Sequence, residues 1–217
     1  MTQLGDLTGL MLAVIAISLL PFVAMVITSY AKIVVVLGLL RNAMGVQQVP
    51  PNMVLNGIAI LVSIYVMAPI GSKAMEVLQQ NNGRETNPTQ LTIDVLGAAR
   101  EPFREFLIKH TPQREKQFFL HAARSVWPED MAAKLNENDL IVLAPSFTLS
   151  EMTDAFRIGF VLYIAFLVVD LVIANILLAM GLNQVQPVNV AIPFKLLLFV
   201  LMDGWSTLMH GLVMTYR

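Results

Sequence analysis

The chain has no cysteine, which excludes disulfides, thiolate catalysis and Cys-ligated metal in one step. Charge is also scarce: only 13% of the 217 residues are Asp, Glu, Lys or Arg, against about 25% in soluble domains. The 14 basic and 15 acidic residues nearly cancel, and no basic cluster offers a surface that could track phosphates, so nucleic acid is not an expected partner. No basic segment precedes the first apolar run. Asp6 is the only charge before Lys32, which points to a retained first helix rather than a cleaved leader. A glycine-rich phosphate loop and a Gly-x-Ser-x-Gly elbow are both missing. His110, His121 and His210 are scattered, with no His-x-x-x-His or Glu-x-x-His pattern to hold a metal. Ser18, Ser29 and Ser63 lack a nearby base and suit close helix packing instead. No catalytic residue, metal or cofactor is therefore expected.

What is present is apolar. Hydrophobic residues make up 56% of the chain, and there are 13 methionines, a membrane-class composition. Of the 29 charged residues, 22 lie between Lys73 and Arg157. The expected organisation is a hydrophobic block at 1–72, a polar insert at 73–147 and a second hydrophobic block at 148–217. In the first block no charge falls between Asp6 and Lys32, enough for a span of about 20 helical residues, with Pro21 predicting a kink. Lys32 and Arg41 flank the aliphatic run 33–40. Pro50-Pro51 ends the following loop and must stop a helix there. A second uncharged run covers 53–70, and Arg41 places the short loop on the cytoplasmic side.

The insert reads as helical and packed. Asn87-Pro88, Glu101-Pro102 and Thr111-Pro112 have the form of helix starts. Phe103, Phe106, Leu107 and His110 recur at helical spacing, as do Phe118, Phe119, Ala122 and Val126. Thr148-Leu149-Ser150-Glu151 has the form of a capping box opening the second block. An apolar run to Met180, a polar turn at 181–187 and a returning segment from 188 to 216 complete it. Two helices joined by so short a turn lie antiparallel, so each block is expected to be a hairpin. The fold class is all-α and of integral-membrane type.

The sharpest signal is charge inside these apolar stretches: Lys32, Asp170, Lys195 and Asp203. If one helix carries Lys195 and Asp203, eight residues hold them about 12 Å apart along its axis. They cannot pair with each other, so each needs a partner on another helix or another chain. Two classes of protein fit: a channel pinned together by charge pairs, or a proton- or ion-coupled transporter using Asp170 and Asp203. Met11, Met25, Met44, Met53, Met67, Met75 and Met180 suit adaptable packing.

Several segments together carry a resemblance. They are 28–32 (TSYAK), 39–48 (LLRNAMGVQQ), 50–52 (PPN), 103–106 (FREF), 155–160 (AFRIGF), 169–173 (VDLVI) and 193–205 (PFKLLLFVLMDGW). In order and over nearly the whole chain they resemble the FliP/SctR family, the core export-apparatus proteins of bacterial flagella and type III secretion injectisomes, with Gly45-Val46-Gln47-Gln48 nearer the injectisome branch. The resemblance implies a homopentamer that joins SctS/FliQ-type and SctT/FliR-type subunits in a helically arranged, cone-shaped pore for unfolded secreted proteins. It implies larger export-apparatus proteins as further partners, contact with membrane lipid, and a place in the bacterial inner membrane with the polar domain periplasmic. It also implies charge pairs between subunits, at Lys32, Glu151, Asp170, Lys195 and Asp203. The turn bearing Met180, Leu182, Asn183 and Gln184 falls at the pore constriction. The family usually carries a methionine gasket there, and Leu182, Asn183 and Gln184 stand in its place. Ala165 likewise stands where a proline is common, which predicts a softer kink.

Overall fold

A computed structural model describes residues 11, 14, 15, 18, 19, 25–80 and 88–217, and among them all regular structure is helical. The elements used below are α1 (Tyr30–Met44), α2 (Asn52–Gln80), α3 (Pro88–His110), α4 (Gln113–Val126), α5 (Glu129–Ala132), α6 (Leu140–Ala179), α7 (Pro187–Leu201) and α8 (Gly204–Met214). Pro21 and Asn87 lie outside the described residues, so the expected kink and cap there are not described. Two helices are long and apolar enough to cross a membrane, over Asn52–Val77 and Leu140–Ala179. Taken together, α7 and α8 would make a third, bent by 63°.

The chain divides into two compact units: 1–31 with 64–150, and 32–63 with 151–217. Helices α2 and α6 each begin in one unit and end in the other.

In the first unit the core gathers on Leu107, Leu143 and Phe147, each fully buried, with Phe106 edge-on to Phe147 at 5.7 Å. The Lys116 ammonium is buried and donates to the Ile108 carbonyl at 3.1 Å, a cation at the last turn of α3, where the helix dipole favours it. The stripe on α4 packs differently from the sequence expectation. Its buried residues are Glu115, Lys116 and Ala123, and Phe118 and Val126 stay exposed. Spacing marked the helix correctly but not which edge of it is covered.

Three boundaries also differ from the sequence reading. Pro102 does not start a helix; it lies inside α3, with its ring buried, and the apolar stripe carries the helix through the missing N–H. Thr148 to Glu151 do not cap anything. Residues 140–147 are already helical, and the Thr148 hydroxyl donates back to the Ala144 carbonyl at 2.9 Å and to the Val26 carbonyl at 3.1 Å. The segment from 188 to 216 is two helices, broken at Met202 and Asp203. At Ala165, where the resemblance predicted a softened kink, α6 runs on as one helix.

The second unit is built on α1. Its Ile33, Val36, Leu37 and Leu40 are fully buried. Leu39 packs so closely on Gly159 that a Cβ there would fall 2.2 Å from the Leu39 Cδ1. Leu40 and Met44 then meet Phe199, with Leu162 and Phe166 against them. Residue numbers rise together on both helices, so α1 runs parallel to this part of α6. Along α7 they run opposite: Ala191 packs with Ile173 and Leu177, and Phe199 lies 6.4 Å from Phe166. Pro50-Pro51 ends the loop as expected, and α2 starts at Asn52. Arg41 staples that loop, donating to the Pro50 carbonyl at 3.2 Å and to Asn52 Oδ1 at 2.6 Å.

Candidate functional site

Four of the five charges singled out above form two knots within the second unit. In the first, Lys32 sits in the opening turn of α1 and Glu151 on α6. Lys32 Nζ donates to Glu151 Oε1 at 2.9 Å, with only 2% and 4% of the two side chains exposed. Lys32 therefore does not reach out to an interface. The Tyr216 hydroxyl, just beyond α8, donates to the other carboxylate oxygen, and its ring centroid lies 3.9 Å from Lys32 Nζ.

The second knot joins α7, α6 and the end of α1. Lys195 Nζ donates to Asp170 Oδ2 at 2.6 Å and to the Ala43 carbonyl at 3.0 Å. That carbonyl lies in the last turn of α1, where a helix has no internal donor for it. Lys195 is 5% exposed and Asp170 is 38% exposed, so the ammonium is enclosed while one side of the carboxylate reaches the surface. A carboxylate held this closely by a buried ammonium ties α6 to α7.

Asp203 behaves otherwise. It is exposed, it adopts a left-handed backbone (φ 49°), and among the described residues it makes no ion pair. Its carbonyl accepts from Thr207 N–H at 3.0 Å, opening α8. Gly204 follows because nothing larger fits: a Cβ there would meet the Phe199 ring at 2.3–2.8 Å. Phe199 is held in turn by Trp205, edge-on at 5.4 Å. The Asp-Gly-Trp sequence is thus a break with a reason for each residue: a left-handed turn, a close approach and a packing ring.

The turn after α6 closes as a Schellman motif. Gly181 has φ 74°, its N–H donates to Leu178, and Leu182 N–H donates to Leu177, both at 3.0 Å. Met180, Leu182, Asn183 and Gln184 all stand exposed on it. No group of metal-ligating side chains occurs among the described residues.

The sequence reading required partners for these charges on another helix or another chain, and the resemblance implied pairs between subunits. In this chain Lys32 finds Glu151, Lys195 finds Asp170, and Asp203 alone of the five has no ion pair among the described residues. Tyr216 and the Ala43 carbonyl were missed. Neither carries a spacing signal, because both meet their partners only through tertiary packing.

The FliP family model matches residues 12–212. The chain is 65% identical over 214 residues to the hypersensitivity response secretion protein HrcR of Ralstonia nicotianae, covering 98% of each. It is 46% identical over 216 residues to Yop proteins translocation protein R of Yersinia pestis, covering 100% of this chain and 99% of that one. It is 39% identical over 206 residues to the virulence protein YscR of Salmonella typhimurium, covering 92% of each.

Proposed function

This chain belongs to the FliP family, and we propose that it is a core subunit of a type III protein-secretion export gate. The observation that carries the reading is similarity along the whole chain to relatives named for secretion and translocation. Helices apolar enough to cross a membrane support it.

The finer reading is a pentamer in the bacterial inner membrane. It joins SctS/FliQ-type and SctT/FliR-type subunits around a cone-shaped pore for unfolded proteins, beside the larger export-apparatus proteins. The polar domain at 73–147 lies on the periplasmic side, between two hydrophobic hairpins at 1–72 and 148–217. Contact between subunits falls first to Asp203, whose carboxylate is exposed without an ion pair among the described residues, and next to the half-exposed side of Asp170. An unpaired carboxylate in an apolar segment is costly, so a neighbour's cation is the expected partner. The exposed turn with Met180, Leu182, Asn183 and Gln184 forms the constriction, which is then more polar than a methionine gasket.

Reconstituted in a planar bilayer, the assembled complex should conduct ions at rest. The triple variant Leu182→Met, Asn183→Met, Gln184→Met should lower that leak, because apolar thioethers seal where amides hold water. A complex that never conducts contradicts the pore. A leak unchanged by the triple variant places the constriction elsewhere.

A further inference from the structure

Lys32, Glu151 and Tyr216 come from three separate elements of one unit and close a ring of contacts. A buried ammonium–carboxylate pair recovers the cost of leaving water only when its remaining hydrogen-bonding positions are also filled. Glu151 Oε1 is taken by Lys32; Oε2 is left, and the Tyr216 hydroxyl fills it. The ammonium has one carboxylate beside it, and the electron-rich face of the same tyrosine covers another side at 3.9 Å. Tyr216 therefore contacts both partners at once. Eight residues beyond Glu151, Gly159 receives Leu39, seven residues beyond Lys32. The pair thus sets the register in which α1 lies along α6.

We propose that Tyr216 is a positioning residue that commits Lys32 and Glu151 to each other within a single subunit, locking α1 onto α6 before subunits meet. The two charges then serve the inside of each subunit, not the contacts between subunits. The lock is a property of the isolated chain and does not depend on the export-gate reading.

Amine acylation of the full-length chain in detergent, read residue by residue by mass spectrometry, tests it. Lys109, exposed on α3, reports full reactivity, and Lys195 in the second knot reports global unfolding. In the lone wild-type subunit both Lys32 and Lys195 should react slowly. Tyr216→Phe keeps the ring and removes the hydroxyl. It should speed Lys32 modification on the order of tenfold, the factor that about 1.4 kcal/mol of lost hydrogen bonding to a charged group converts to. Tyr216→Ala should speed it further, with Lys195 still protected in both variants.

Three results would overturn the proposal. One is a Lys32 that stays slow in Tyr216→Ala. Another is Lys32 and Lys195 opening together in Tyr216→Phe, which makes the tyrosine a bulk structural residue. The third is a wild-type Lys32 as reactive as Lys109 in the lone subunit and protected only after assembly, which puts its partner on a neighbour.

Discussion

Asp170→Ala will destabilise the chain by about 1.5–3 kcal/mol, because it removes the charged hydrogen bond that holds the Lys195 ammonium and leaves it the Ala43 carbonyl. The size follows from where the two charges sit. Lys195 is 5% exposed while Asp170 is 38% exposed, so water entering where the carboxylate stood keeps the loss below that of a fully buried pair. Adding Lys195→Met removes the orphaned charge and keeps most of the side-chain volume. The double variant should therefore regain at least half of the loss. Chemical denaturation of the detergent-solubilised full chain reads both, and strictly additive effects would contradict a direct pair. The knot holds α7 to α6 and to the end of α1, so the loss should come from the second unit, with the core of the first intact.

Gly204→Ala carries the second large effect. Its new Cβ would lie 2.3–2.8 Å from the Phe199 ring, well inside contact distance. The ring cannot simply swing away: Trp205 lies edge-on to it at 5.4 Å and Phe166 tilts against it at 6.4 Å. Overpacking of this kind costs about 1–3 kcal/mol. Phe199→Leu, which removes the obstructing ring edge, should cost stability alone yet rescue Gly204→Ala in combination. Melting temperatures of the two single variants and the double check this. The prediction fails if Gly204→Ala melts with the wild type. Because Gly204 follows the left-handed Asp203, the same variant should disturb the 63° bend that aims Asp203.

Much of this was legible in the sequence, for identifiable reasons. Apolar length and helical spacing gave the all-helical class, the start of α4 after Pro112 and the loop that Pro50-Pro51 ends. They failed where packing overrides a local signal. Pro102 has the form of a helix start, but its ring is buried and α3 continues through it. Thr148 and Glu151 have the form of a capping box, but residues 140–147 are already helical before it, held by Leu143 and Phe147. The candidate site shows the same limit. Burial energetics flagged Lys195, Asp170 and Asp203 and required partners for them, without saying on which chain. Partner identity is tertiary information: Glu151 meets a residue 119 positions away, and Lys195 meets a carbonyl 152 positions away. The hydroxyl of Tyr216 and the carbonyl of Ala43 are ordinary groups until packing brings a charge to them.

The central claim is that this chain is an indispensable part of a protein-export gate, and secretion itself is the most direct measure of it. In the bacterium that carries the chain, its gene is deleted and the proteins released to the medium under secretion-inducing conditions are compared with those kept in the cells. The account predicts that type III substrates are made, stay inside, and are released again when the wild-type chain is restored. Undiminished release from the deletion strain would contradict it.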